Sequence, residues 1–362
     1  APLALSSAEG LLSPNGSASL TGQEHSALRR LARTLRRDIL FTIAEANSGH
    51  PGGSLSELEI LITLYYRLMR NDPGNTSWTD RDRFILSKAH ACPGLYAVLA
   101  HRGYFPIADL STFRKINSHL QGHTKIGTPG VEMSGGSLGM GLSYGIGVAL
   151  AGRLDGRDYR TYVLVGDGEC EEGQVWEAAM AATHHKLDSL VAIVDRNGVQ
   201  NDRFTSEVTA LEPLAAKWRA FGWQVVQANG HSFPSLLRAF NRARETKGRP
   251  TVIIARTVKG KGISFMENNP AFHGKAPSWE QTAQAMRELR VSRREAGQAM
   301  RGGETGRAGA DHQHVAVCIR FFIAVGIGIV GRAPESGGAA GAERAPNVVF
   351  ILADDLGWAD LG

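Results

Sequence analysis

Gly166-Asp167-Gly168-Glu169 follows an apolar, β-branched run at residues 162–165, and Asp195-Arg196-Asn197-Gly198 follows a second such run at residues 190–194. That placement sets both loops at the same carboxyl edge of a sheet, where open α/β folds bind their ligands. The Asp167 carboxylate and the side-chain oxygen of Asn197 are hard donors of the kind Mg2+ or Ca2+ takes, and a backbone carbonyl such as that of Val199 would complete the set. Gly166 and Gly168 would let the chain approach a diphosphate closely, with the ion neutralising its charge. A lone Gly-Asp-Gly is equally a tight turn. The strand before each loop and the distance to Asn197 favour the metal–diphosphate reading.

Such loops need a sheet and helices to position them. Residues 26–46 place Leu28, Leu31, Leu35, Ile39 and Ile43 at helical spacing and end at the turn-rich Asn47-Ser48-Gly49-His50-Pro51-Gly52-Gly53. Residues 54–69 read as a second helix, and a helix of small and apolar residues runs from near His90 to His101. Residues 175–185 are helical between the two strands, and strands at 223–226 and 251–255 flank a helix at 235–246. This alternation predicts an α/β fold: a doubly wound parallel sheet with helices on both faces.

Composition narrows the function further. With 43% hydrophobic and 21% charged residues, the 362-residue chain is an ordinary globular one able to bury a core. The net charge of +5 suits a phosphorylated small molecule, but Lys and Arg are scattered and no nucleic-acid-reading module is present. Cys92, Cys170 and Cys318 are odd in number and far apart, which argues against a disulfide framework and for a reducing, cytoplasmic setting.

The two loops together resemble the fingerprint of thiamine diphosphate (ThDP) enzymes, and Ser48-Gly49-His50-Pro51-Gly52 with Asp82-Arg83-Phe84-Ile85-Leu86-Ser87 resembles transketolase in particular. Gly122-His123, Pro129-Gly130-Val131-Glu132, Gly136-Ser137-Leu138-Gly139-Met140-Gly141 and Glu172-Gly173-Gln174-Val175-Trp176-Glu177 extend the likeness over residues 27–289. The resemblance implies that His50 faces the reacting carbons of a sugar, that His90 and His123 line the channel near the diphosphate, and that His273 is a further active-site histidine. Imidazoles suit proton exchange near neutral pH. It also implies that the loop of Gly136 and Leu138 holds the aminopyrimidine and diphosphate, and that Glu172 and Glu177 are carboxylates at a subunit contact; ordinary helix-surface glutamates are the alternative. Lys259 and Lys261 either reach phosphate or belong to a solvated loop.

In this family a glutamate from a second, pyrimidine-binding domain protonates the cofactor's aminopyrimidine ring, and residues 27–289 do not include that domain. The resemblance therefore implies the amino-terminal subunit of a split transketolase, forming a homodimer or an α2β2 assembly with a carboxy-terminal subunit that completes it. With ThDP and Mg2+ (or Ca2+), it would move a two-carbon ketol unit between sugar phosphates. The alternatives are a non-catalytic cofactor-binding remnant and a subunit of another ThDP enzyme such as 1-deoxyxylulose-5-phosphate synthase. Around the domain at 26–290, residues 1–25 read as a flexible leader and 291–345 as a low-complexity linker. That linker contains a signal-like apolar segment at 321–331, too short to span a bilayer at about 20 residues. Residues 346–362 resemble the truncated opening strand of a sulfatase, with Asp354 and Asp355 as its first metal ligands. A fused or misassembled reading frame is the simplest account of that tail.

Overall fold

The computed structural model describes residues 20–201 and 203–289. The expected linker, apolar segment, sulfatase-like strand and Cys318 lie outside the described residues.

Five parallel strands form one sheet in the order β1-β2-β3-β5-β4. They are β1 (Arg83–Leu86), β2 (Thr161–Gly166), β3 (Leu190–Arg196), β4 (Gln224–Asn229) and β5 (Thr251–Arg256). Gly166 pairs with Asp195, and Asp195 with Ala255, so the loops that follow β2, β3 and β5 leave the sheet at one level. Asp167, Asn197 and Thr257 thereby meet at the carboxyl edge.

The strands read as continuous apolar runs because both faces are covered. Tyr162, Leu164, Val191, Ile193, Ile253 and Ala255 point into one core. That core is completed by α1 (Gly22–Glu45), α2 (Pro51–Ser56), α3 (Leu58–Thr63), α4 (Cys92–Arg102), α8 (Phe233–Glu245) and α9 (Trp279–Glu288). The alternate residues Val163, Val165, Ala192, Val194, Val252 and Ile254 point into a second core under α5 (Met140–Leu154), α6 (Gly173–His184) and α7 (Leu214–Ala220). The doubly wound arrangement expected from the alternating pattern is the one present. Among the described residues, no helix is long and apolar enough to cross a membrane.

Two boundaries differ from expectation. The helix α1 starts at Gly22, inside the stretch assigned to the leader, because Thr21 and Glu24 form a reciprocal capping box. The helix expected over 54–69 is instead α2, α3 and a π-helical turn at Leu64–Leu68, all of it buried.

Helix α5 sets the depth of the site. A Cβ at Gly141 would stand 2.4 Å from Ser87 Oγ, and one at Gly145 2.4 Å from Val163 Cγ2, so glycine lets the helix lie directly on β1 and β2. Its amino end, Gly139 in a left-handed conformation, then reaches the loop after β2. Gly145→Ala should cost about 1–3 kcal/mol in urea unfolding. Gly147→Ala on the open side of the same helix, where nothing lies within 4 Å, should be neutral or gain up to about 1 kcal/mol. Equal effects would contradict this close packing.

Candidate active site

Asp167, buried directly after β2, accepts from the Gly168 N–H at 2.9 Å through Oδ1. Its Oδ2 accepts from the Gly198 N–H at 2.5 Å and from Arg196 Nη1 at 3.0 Å. Asn197 Oδ1 accepts from the Val199 N–H at 3.0 Å, and the Val199 carbonyl accepts from Lys259 Nζ at 2.9 Å. The three expected ligands thus sit on two adjoining loops with Arg196 and Lys259 beside them. Among the described residues, no group of three or more His, Cys, Asp or Glu is arranged to hold a metal. An ion here would rely on this mixed set of carboxylate, amide and carbonyl oxygens, which suits Mg2+ or Ca2+, and it would compete with Arg196 for Asp167.

Beneath these loops lies a buried network that sequence reasoning passed over, although Asp195, Glu169 and Ser87 stand inside quoted motifs and Lys88 directly follows one. Lys88 Nζ donates to Asp195 Oδ2 at 2.6 Å and to the Gly53 carbonyl at 3.1 Å, and it lies 2.9 Å from Glu57 Oε2. Asp195 also accepts from Ser56 Oγ at 2.5 Å and from Thr257 Oγ1. Glu169 accepts from the N–H groups of Gly139 and Gly166, each at 2.8 Å, and from Ser87 Oγ, tying α5 to the ends of β1 and β2. The signal available in the sequence is a charged residue closing an apolar strand, as Asp195 closes β3.

His50 precedes α2, His90 lies in the 3-10 turn after β1, His123 in the loop before α5, and His273 just after the 3-10 turn at Pro270–Phe272. The structure brings all four together. The His50 ring centroid lies 5.0 Å from that of His90, 5.6 Å from His273 and 6.4 Å from His123, and His90 stacks on His273 at 5.2 Å. Burial, then the charges of Arg114, His123 and Lys259, lowers His50 to about 4. Burial, then Lys259, His50 and Lys88, lowers His273 to about 3. Burial also pulls His90 well down, reinforced first by His273, and His123 moves the same way through burial and Arg114. At neutral pH the cluster is therefore uncharged, in the field of nearby cations.

Lys259 is 4% exposed, so the solvated-loop alternative fails for it, and burial followed by the Lys88 charge pulls its ammonium down to about 8. Lys261 instead turns away to Glu267, 2.9 Å from its Nζ. Leu138 is partly exposed beside Gly139, while Glu172 and Glu177 lie exposed at the start of α6.

The residues fit a diphosphate cofactor. At Gly136 a Cβ would meet nothing within 4 Å, and at Gly166 nothing closer than 3.6 Å, so internal packing does not demand glycine at either position. Gly168 differs: its Cβ would stand 2.8 Å from Gln200 Cβ, and that contact accounts for the glycine. His50 Nδ1 and His273 Nδ1 are buried without a hydrogen-bond partner.

Fold and site together define the diphosphate-binding domain of a cofactor-dependent α/β enzyme. Residues 27–295 match the family described as transketolase, thiamine diphosphate binding domain. The chain belongs to the transketolase family. It is 44% identical over 263 residues to the 6-deoxy-6-sulfo-D-fructose transketolase subunit of Clostridium sp. (strain MSTE9), covering 72% of this chain and 96% of that one. It is 42% identical over 254 residues to one of the subunits of the apulose-4-phosphate transketolase of Phocaeicola vulgatus, covering 70% of this chain and 90% of the relative. Against the crystal structure of Campylobacter jejuni transketolase the TM-score is 0.69 at 32% identity, covering 72% of this chain and 42% of that one.

His50 and His273 lie below the ordinary imidazole value of 6.5 in the folded chain, so the unfolded chain takes up protons first as pH falls. Their burial therefore costs stability below about pH 6.5 and not above it. Imidazole NMR signals of both should stay in the neutral position down to about pH 5, and His50→Gln should make the loss of unfolding free energy below about pH 6.5 less steep. An imidazolium signal from either at pH 6 would contradict the arrangement.

Proposed function

We propose that this chain is the cofactor-diphosphate half of a two-chain transketolase. It moves a two-carbon ketol unit from a ketose carrying a terminal anion to an aldose phosphate. The convergence of Asp167, Asn197, Val199 and Lys259 with four neutral histidines at one sheet edge carries this reading. It is supported by relatives that are themselves transketolase subunits and that the chain spans at 90–96% of their length. Thiamine diphosphate, when bound, supplies the carbanion chemistry by which a ketol unit is carried.

Asp167, Asn197 and the Val199 carbonyl would hold Mg2+, which would neutralise diphosphate charge, and Lys259 adds a buried positive charge beside them. The loop of Gly136 and Leu138 receives the pyrimidine end of the cofactor. His50, His90, His123 and His273 face the sugar. Being neutral, they accept or donate protons at its hydroxyls without adding to the positive field, and they exclude bulk water from the reacting carbons. The glutamate that would serve the cofactor's pyrimidine ring would come from a partner chain in an α2β2 assembly. The buried thiols Cys92 and Cys170 suit a cytoplasmic setting.

The test is a coupled assay on the full chain with ThDP and Mg2+, with and without the pyrimidine-domain subunit of a two-chain transketolase. Donors would include 6-deoxy-6-sulfofructose, apulose 4-phosphate and xylulose 5-phosphate, with ribose 5-phosphate among the acceptors. Turnover is expected only with the partner. Turnover by this chain alone would overturn the division of labour.

A further inference from the structure

The loop after β5 that carries Lys259 is gripped from behind by a single buried carboxylate. Glu59 of α3, 6% exposed, takes both oxygens to Arg36 Nη2, at 2.7 and 2.9 Å. Arg36 Nε donates in turn to the Lys261 carbonyl at 2.9 Å. On the other side of Lys259, the Val258 N–H donates to His231 Nε2 at 2.8 Å. That nitrogen is therefore unprotonated, the ring proton sits on Nδ1, and Nδ1 donates to Glu59 Oε2 at 2.9 Å. One carboxylate thus fixes the backbone both before and after Lys259, using residues from α1, from α3 and from the turn after β4. Between the two grips the Gly260 N–H donates to the Gly52 carbonyl at 3.0 Å, and the chain turns through left-handed Gly260 and Gly262. A Cβ at Gly262 would stand 3.0 Å from Arg36 Cδ, so the loop lies close against the arginine.

Resting on the function proposed above, we propose that Glu59, Arg36 and His231 are positioning residues that hold the Lys259 ammonium against the cofactor's diphosphate. None of the three is among the residues assigned above to the cofactor, the ion or the sugar. Outer-shell hydrogen bonds of this kind orient a binding group and lower its entropy cost. The geometry distinguishes this from general stabilisation, because both grips act on the residues flanking one lysine.

The experiment is a double-mutant cycle on the full chain, reading the affinity for inorganic pyrophosphate with Mg2+ by calorimetry, with thermal melting to confirm folding. His231→Ala should weaken binding by about tenfold and add nothing once Lys259→Met is present. His231→Gln, whose side-chain oxygen accepts from the Val258 N–H, should regain most of the loss. Independently of any ligand, His231→Ala should speed amide exchange across residues 257–262, and His231→Gln should slow it again. Equal losses in both Lys259 backgrounds would make His231 merely structural and overturn the proposal, as would unchanged exchange in that loop. An unsubstituted chain that binds no pyrophosphate would instead remove the cofactor reading on which the proposal rests.

Discussion

Lys88 is a full charge with almost no access to water, and the carboxyl edge of the sheet is organised around satisfying it. Its ammonium lies 2.6 Å from Asp195 and 2.9 Å from Glu57, joining the end of β1 to the end of β3 and to the α2–α3 junction. Burial alone would lower Lys88, but the Asp195 charge, with Glu57 alongside, outweighs it and holds it protonated. Two buried carboxylates beside one cation cannot both ionise cheaply. Asp195 is the charged one, kept below the usual range by Lys88, Ser56 and Thr257 against its burial, while burial pushes Glu57 up to about 8. Removing either member of such a pair typically costs about 3–5 kcal/mol, because the other is left buried and unpaired. Asn197 and Thr257, which open the loops of Val199 and Lys259, both contact Asp195. The binding loops inherit their placement from this buried pair.

The same positive field explains the chemistry available above it. Lys88, Lys259 and Arg114 act on the histidines and, together with burial, keep them neutral. A site that is cationic at its floor and neutral at its walls would suit a diphosphate and would leave imidazoles free to exchange protons with hydroxyls. The chain spans 42% of the length of the human transketolase, to which it is 39% identical. It spans 96% of the Clostridium subunit. Under the proposed function that division would follow the cofactor's chemistry, with the diphosphate held at this sheet edge and the glutamate for its pyrimidine ring supplied by another domain.

Much of this was legible in the sequence because strand runs buried on both faces are unbroken and their ends carry the functional loops. β2, β3 and β5 stood out in that way, as did the loops bearing Asp167 and Asn197. Helix α5 did not, since Met140–Leu154 is apolar and glycine-rich on every side and shows no stripe. Its glycines acquire meaning only against Ser87 and Val163. The start of α1 was readable from Thr21 and Glu24, but the preceding Ser- and Gly-rich stretch masked it. The Lys88 network and the Glu59 clamp were not readable, because pairs such as Lys88 with Asp195 or Glu59 with His231 are far apart in sequence and meet only through the sheet order. Nor could the sequence say which way Lys259 and Lys261 face; a bend at Gly260 sends one inward and the other toward Glu267.

The most direct measurement is calorimetric titration of ThDP into the full chain without any partner, with Mg2+ present or removed by chelation. If this chain holds the diphosphate half by itself, ThDP binds only with the divalent ion, and Asp167→Ala abolishes that binding while the protein stays folded. Metal-independent binding, or undiminished binding by Asp167→Ala, would contradict the assignment of the site.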